Sequence, residues 1–210
     1  MPYIKNDKVN ILFIHIPKAC GTSIGSYLLE KHGVIREWNK HPYCLITYHL
    51  KFLDVSYQHQ TYSNIKTHKD FFKIDFDNLT LLTCVRNPYT RILSDLFFYN
   101  LITPDSKQDD VYNSIKDFIA PQNLKKFDNH PLPQYKFILD TDGSMLKNIT
   151  ILKTETISED MKSLGYEDFQ TKWNTSSVDT SNYTKYFNKK SIELIRDHYA
   201  KDFEIFGYSL

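Results

Sequence analysis

Residues 14–24 read Ile-His-Ile-Pro-Lys-Ala-Cys-Gly-Thr-Ser-Ile, and the order of residue types in this stretch decides the fold. Upstream, Val9–Ile16 (VNILFIHI) is nearly all apolar and rich in β-branched side chains, as suits a strand buried on both faces of a parallel sheet. Pro17–Thr22 breaks that run. Ser23–His32 then reads as a helix with Ile24, Tyr27 and Leu28 along one side, and Gly33 follows as its C-terminal cap. A buried strand, a tight turn with glycine and a helix opening on hydroxyl residues together create an anion site. Backbone N–H groups of the first helical turn point outward, and the helix dipole adds about half a positive charge there. Lys18 in the turn supplies a mobile point charge, Gly21 permits close approach, and Thr22 and Ser23 add hydroxyl donors.

Working outward, Leu79–Val85 (LTLLTCV) is a second buried strand, after which Asn87 stands as N-cap before Pro88 at the first helical position. That helix extends to about Asn100. Another starts at Asp109 or Asp110 and is stopped by Pro121. Asn148–Lys153 reads as a third strand, Ser158–Leu164 as a short helix ended by Gly165, and Lys189–Phe203 as a longer terminal helix. Strands alternating with helices predict an α/β fold with a mainly parallel central sheet flanked by helices. The stretches from about Lys40 to Asp77 and from Phe127 to Gly143 have weak periodicity, as expected of loops and short helices covering the ligand edge of the sheet. No repeat, low-complexity stretch or linker divides the chain, so residues 1–210 form one domain.

Composition narrows the function classes. The chain is 41% hydrophobic and 24% charged, an ordinary globular balance that argues against disorder. With 26 basic and 25 acidic residues the net charge is +1, which lacks the basic excess of a nucleic-acid binder. The 15 Tyr and 14 Phe suit core filling first, and a cleft that stacks on planar rings second. No apolar run is long enough to span a bilayer, and the N-terminus runs directly into a strand-like segment instead of a signal core. The expectation is a soluble, cytoplasmic protein. Cys20, Cys44 and Cys84 are odd in number and widely spaced, so neither a disulfide framework nor a thiolate zinc site is suggested.

The common nucleotide-kinase loop, GxxxxGK[ST], places lysine directly after its second glycine, whereas Lys18 precedes Gly21; GxGxxG is absent too. The second strand leads into VRNPYTRILS (residues 85–94), which puts Arg86 at a strand's carboxyl end, where ligands sit in open parallel sheets. Its guanidinium can grip a phosphate bidentately, and Ser94, near two turns into the helix, can offer a hydroxyl to the same anion. Arg91 and Asp95 are spaced as an i,i+4 pair, which reads as structural.

HIPKACGTSI resembles the phosphosulfate-binding loop, IPKTGGTS, of the membrane-type carbohydrate sulfotransferases, the Golgi-like family 2 group that includes heparan sulfate 2-O-sulfotransferases. VRNPYTRILS resembles the 3′-phosphate segment of that group at every specified position. His130–Gln134 (HPLPQ) is similar to its HxxPQ segment, ILKTETISEDMKSLG to its strand-plus-helix pattern, and the ending IRDHYAKDFEIFGY to its usual close. The resemblance implies a P-loop-like three-layer fold and a donor, 3′-phosphoadenosine 5′-phosphosulfate (PAPS), used without a metal. It implies that Lys18, Ala19, Cys20, Gly21, Thr22 and Ser23 hold the 5′-phosphosulfate, and Arg86 with Ser94 the 3′-phosphate. Ala19 and Cys20 depart from the usual threonine and glycine. Small side chains suit a loop acting through backbone N–H groups. A thiol at a helix N-terminus has a lowered pKa, but this transfer needs no covalent step.

In-line sulfuryl transfer needs a base of near-neutral pKa, and eight histidines compete. His15, inside the first strand, reads as a packed residue. His41, His49, His59 and His68 precede the second strand, with spacings that match no compact zinc motif. The resembling enzymes carry a base in this interval, commonly as HxT/S, and His59-Gln60-Thr61-Tyr62 fits best; His68, His49 and nearby carboxylates are rivals. The resemblance therefore implies His59 as base, Lys18 as support for the departing phosphate, and a carbohydrate or other small hydroxyl acceptor. Two other readings stand beside it. A phosphotransferase would need Mg²⁺ and an aspartate after the second strand, where Cys84-Val85-Arg86 stands instead. A nucleotide- or glycan-binding relic would lack a working acceptor site.

Overall fold

A computed structural model describes residues 2–33, 55–170 and 179–210. Among these residues the sheet runs in the order β1-β2-β3-β4, from β1 (Tyr3–Lys5), β2 (Asn10–Ile14), β3 (Thr80–Val85) and β4 (Ile149–Lys153). The three strands expected from the sequence pair in parallel, Leu12 against Leu81 and Thr83 against Ile151. An unforeseen edge strand, β1, pairs antiparallel with β2 through Ile4 and Ile11. It is too short to show periodicity, and it folds back because Asn6 caps the intervening turn, accepting from the N–H groups of Lys8 and Val9 at 2.8 and 3.0 Å.

The central strands β2 and β3 bury both faces, as their unbroken apolar character requires, whereas the edge strand β4 leaves Ile151 exposed. Leu12, Ile14, Leu81 and Val85 point into one apolar cluster with α2 (Tyr62–Thr67), α3 (Lys69–Phe72) and the 3₁₀ turn Gln134–Ile138. Ile11, Phe13, Leu82, Cys84 and Leu152 point into another, closed by α1 (Gly21–Lys31) and α6 (Ile157–Ser163). Each fully buried side chain of this kind contributes about 1.5–3 kcal/mol, so the sheet sits between two stabilising layers. A third cluster, lined by α4 (Pro88–Phe98), α5 (Gln108–Phe118) and α7 (Lys189–His198), extends the molecule beyond β3.

Helix α4 starts as its sequence predicts: the Asn87 side chain accepts from Tyr89 N at 2.9 Å, with Pro88 following. Gly33, at φ +72°, closes α1 in the left-handed region, where a residue with a side chain is disfavoured. The terminal helix expected over Lys189–Phe203 is two helices, α7 and α8 (Ala200–Phe206), with Tyr199 between them. Tyr199 leaves helical geometry at φ −106°, ψ 23°, and its buried hydroxyl donates to Pro131 O at 3.1 Å. A buried phenol needs that partner, and the break in the helix accommodates it. No helix among the described residues is long and apolar enough to cross a membrane.

Candidate active site

The chain leaves β2 through Ile16 and Pro17 and turns sharply. Lys18 and Cys20 both lie at positive φ (60° and 54°), a conformation that costs a non-glycine residue of order 1 kcal/mol and is held only where its surroundings insist. Between them Ala19 is fully buried. Cys20 is the N-cap of α1 but makes no side-chain cap bond, and the first turn carries no acidic residue. The positive end of α1 is therefore not neutralised by the helix's own side chains. Gly21 opens α1 for a reason of contact: a Cβ there would lie 1.9 Å from the His15 ring. The helix start and the residue just past β2 can meet only because position 21 has no side chain.

The Lys18 ammonium sits 4.2 Å from the centre of the Phe98 ring. Partial burial lowers its pKa, Asp95 counters that and Arg86 adds to it. Burial pushes the Cys20 thiol up, not down. The activation expected of a thiol at a helix N-terminus is thus outweighed, and a nucleophilic Cys20 is not supported.

Arg86 leaves the end of β3 and reaches this loop. Its Nη1 donates to Lys18 O at 3.2 Å, Nη2 to Thr180 Oγ1 at 2.6 Å and Nε to Thr90 Oγ1 at 3.0 Å. Ser94 is buried one turn beyond Thr90, so Arg86, Thr90 and Ser94 follow one line along α4. The backbone of Arg86 is clamped by the Gln134 amide, which accepts from Arg86 N and donates to Arg86 O, both at 2.9 Å. Asp202 in turn accepts from Gln134 N and Tyr135 N at 2.8 and 2.9 Å. The HPLPQ segment and the DFE of the chain's end are therefore a support for Arg86, a connection their spacing did not reveal.

Arg91 is structural, though not through the expected pairing with Asp95. Its buried guanidinium donates to three carbonyls, Pro17 O at 3.1 Å, Leu132 O at 3.1 Å and His130 O at 2.7 Å. Asp95 instead accepts from His130 Nδ1 at 2.6 Å. The i,i+4 spacing was sound, but each partner found a stronger tertiary contact.

His59 ends a 3₁₀ turn, Tyr57–His59, and its Nδ1 lies 2.7 Å from Asp128 Oδ2. Asp128 also accepts from Ser56 N and Oγ, each at 2.6 Å. Burial of the imidazole lowers the pKa of His59 to about 4, with the Asp128 hydrogen bond opposing and His130 assisting, so the near-neutral value expected of the base is not what its surroundings give. Burial works against the charge of Asp128, but bonds from His59 and Ser56 outweigh it and hold the carboxyl below its ordinary value. A neutral imidazole beside an ionised carboxylate places its proton on Nδ1, which leaves the lone pair on Nε2. Three imidazoles converge here. His15 and His59 meet edge to face at 5.1 Å, and His59 and His130 at 4.8 Å. His68 stands between α2 and α3, and His41 and His49 lie outside the described residues. Among the described residues no group of three or more His, Cys, Asp or Glu is placed to hold a metal ion.

A model of the sulfotransferase family matches residues 1–209. The chain belongs to that family, as a family 2 sulfotransferase. Neither a curated protein sequence nor a solved structure gave a match. Family membership supports sulfuryl transfer in general as the activity. Within this sulfotransferase, the residues that sequence reasoning missed are Asp128, Gln134, Thr180 and Asp202. Asp128 and Asn129 sit at positive φ in a segment without periodicity, and their partners lie about 70 residues away. HPLPQ and the closing DFE carried a local signal, and they contained Gln134 and Asp202 without showing their task.

Proposed function

We propose that the sulfotransferase moves the sulfuryl group of PAPS to a hydroxyl of a carbohydrate. What carries this reading is the meeting of two cationic groups from neighbouring strand ends. Lys18 follows β2 at the positive end of α1, and Arg86 directly follows β3 and bonds the Lys18 carbonyl at 3.2 Å. A donor with phosphates at both its 5′ and 3′ positions calls for two neighbouring anion sites. The loop from Lys18 to Ser23 serves the phosphosulfate, and Arg86 with Ser94 the 3′-phosphate. An acidic metal ligand after β3, needed by a phosphotransferase using Mg²⁺, is replaced by Arg86.

In the proposed reaction His59 Nε2 takes the proton of the acceptor hydroxyl while Asp128 stabilises the imidazolium that forms. The acceptor oxygen bonds to sulfur as the bond from sulfur to the bridging phosphate oxygen breaks. Adenosine 3′,5′-bisphosphate leaves with that electron pair, and Lys18 with the α1 N-terminus supports the developing charge. Calorimetric titration with adenosine 3′,5′-bisphosphate, against ATP–Mg²⁺, tests the donor. Tight binding of the former alone is expected; a preference for ATP–Mg²⁺ would overturn the reading. Transfer of labelled sulfate to a panel of glycans tests the acceptor. His59→Ala should lose turnover, by about 10²–10⁴-fold, while keeping nucleotide affinity.

A further inference from the structure

Against the His59–Asp128 pair stands a second pair of the same kind, one for which the proposed reaction has no use. His130 is 3% exposed, and its Nδ1 lies 2.6 Å from Asp95 Oδ1. Asp95 is fully buried, and its Oδ2 has no hydrogen-bond partner. A buried polar atom without a partner costs about 1–3 kcal/mol, so a carboxylate serving packing alone would be a poor choice here.

The His130 ring is held from every side. Phe98 stacks on it at 5.5 Å and 10°, and Tyr99 meets it edge-on at 5.0 Å. Its backbone is tied too: His130 N donates to Phe127 O at 2.8 Å, and Arg91 holds its carbonyl. The neighbouring imidazole is His59, 4.8 Å away at 86° and bonded to a carboxylate of its own. On its other side His59 meets His15, whose ring is trapped against Gly21. His59 thus lies between two buried imidazoles, and a rotation of its ring would lengthen the 2.7 Å bond to Asp128.

We infer that His130, anchored by Asp95, is a positioning residue for sulfuryl transfer, holding the His59 ring so that Nδ1 stays on Asp128 and Nε2 stays available to the acceptor hydroxyl. This rests on His59 being the base. A histidine that merely fills space would affect stability and leave the proton of His59 where it is. The groups that act on His59 are Ser56 from its own turn, Asp128 and His130 from one loop opposite it, and His15 from beyond the strand end; Asp95, Lys18 and Arg91 stand behind them.

The test reads the proton directly. Long-range ¹H–¹⁵N correlation spectra of the imidazoles, taken on the full chain at neutral pH, should show His59 of the wild type with its proton on Nδ1. In His130→Ala and in the isosteric Asp95→Asn that signature should give way to an average of both tautomers. His130→Gln, whose amide can still donate to Asp95, should keep most of it. Affinity for adenosine 3′,5′-bisphosphate should stay within about threefold in all three, which also certifies the fold. An unchanged Nδ1 signature for His59 in both His130→Ala and Asp95→Asn would overturn the inference. Should His130→Ala fail to fold, Asp95→Asn alone decides it in the same way. His59→Ala with undiminished transfer would instead overturn the base assignment on which the inference rests, an outcome separate from the spectra.

Discussion

The proposed donor side and the proposed base side of this site are built on different principles. Lys18 and Arg86 stand at the ends of adjacent parallel strands, and the helices that follow, α1 and α4, begin within a few residues of each. Regular structure aims them. His59 and His130 stand on a 3₁₀ turn and an irregular loop, and carboxylates donated by other segments aim them, Asp128 for one and Asp95 for the other. Burial works against charge on both sides, lowering Lys18 and Arg86 as well as His59, but only the first side has a helix N-terminus turned toward it. Gripping a dianion needs many fixed dipoles, which repeating backbone provides. Tuning one imidazole needs a few side chains at chosen distances, which loops provide more freely.

The contrast can be broken most severely at Lys18. Lys18→Ala should lower transfer by about 10³-fold, near 4 kcal/mol, in a labelled-sulfate assay, with weaker binding of adenosine 3′,5′-bisphosphate. His59→Ala, by comparison, should leave that binding intact, which is the difference between the two sides in one measurement. Gly21→Ala tests where the sides touch. Its new Cβ collides with the His15 ring, so a loss of about 3 kcal/mol in urea unfolding is expected, together with weakened nucleotide binding. An alanine variant of unchanged stability would show that the loop and the imidazole row are not in contact.

Acid should act on the base side first. Burial holds His15 and His59 below the ordinary histidine value of 6.5, so the unfolded chain binds protons that the folded one refuses. Stability is then full above about pH 6.5 and falls as the pH drops toward about 4, by of order 2–3 kcal/mol from His59. Asp128, held low, keeps its charge through that window. Urea midpoints across the same range check the sign, and in His59→Ala the slope should flatten. The smallest effect belongs to regular structure. Asn87→Ala removes the bond to Tyr89 N and should cost about 1 kcal/mol, visible in thermal melts, with no change in the pH slope.

The same division governs what could be read without coordinates. Strands β2, β3 and β4, the N-cap at Asn87 and the positions of Lys18 and Arg86 follow from periodicity and turn chemistry, which act between near neighbours. Asp128 lies 69 residues from His59, and nothing in DNHPLPQ announces that its aspartate faces a turn so far upstream. Arg91 and Asp95 show the converse error: a local spacing rule predicted a pair, and tertiary carbonyls and an imidazole outbid it. β1 escaped notice because three residues carry no period, and Tyr199 because a helix break driven by a buried hydroxyl leaves no mark on the pattern.

The Arg91 guanidinium has a larger consequence than its own three hydrogen bonds. Pro17 belongs to the donor loop, and His130 and Leu132 to the segment that carries the second imidazole–carboxylate pair, so one planar group fastens the two parts together. A local opening of either part is therefore expected to carry the other with it, so that the proposed nucleotide grip and the proposed base are lost together.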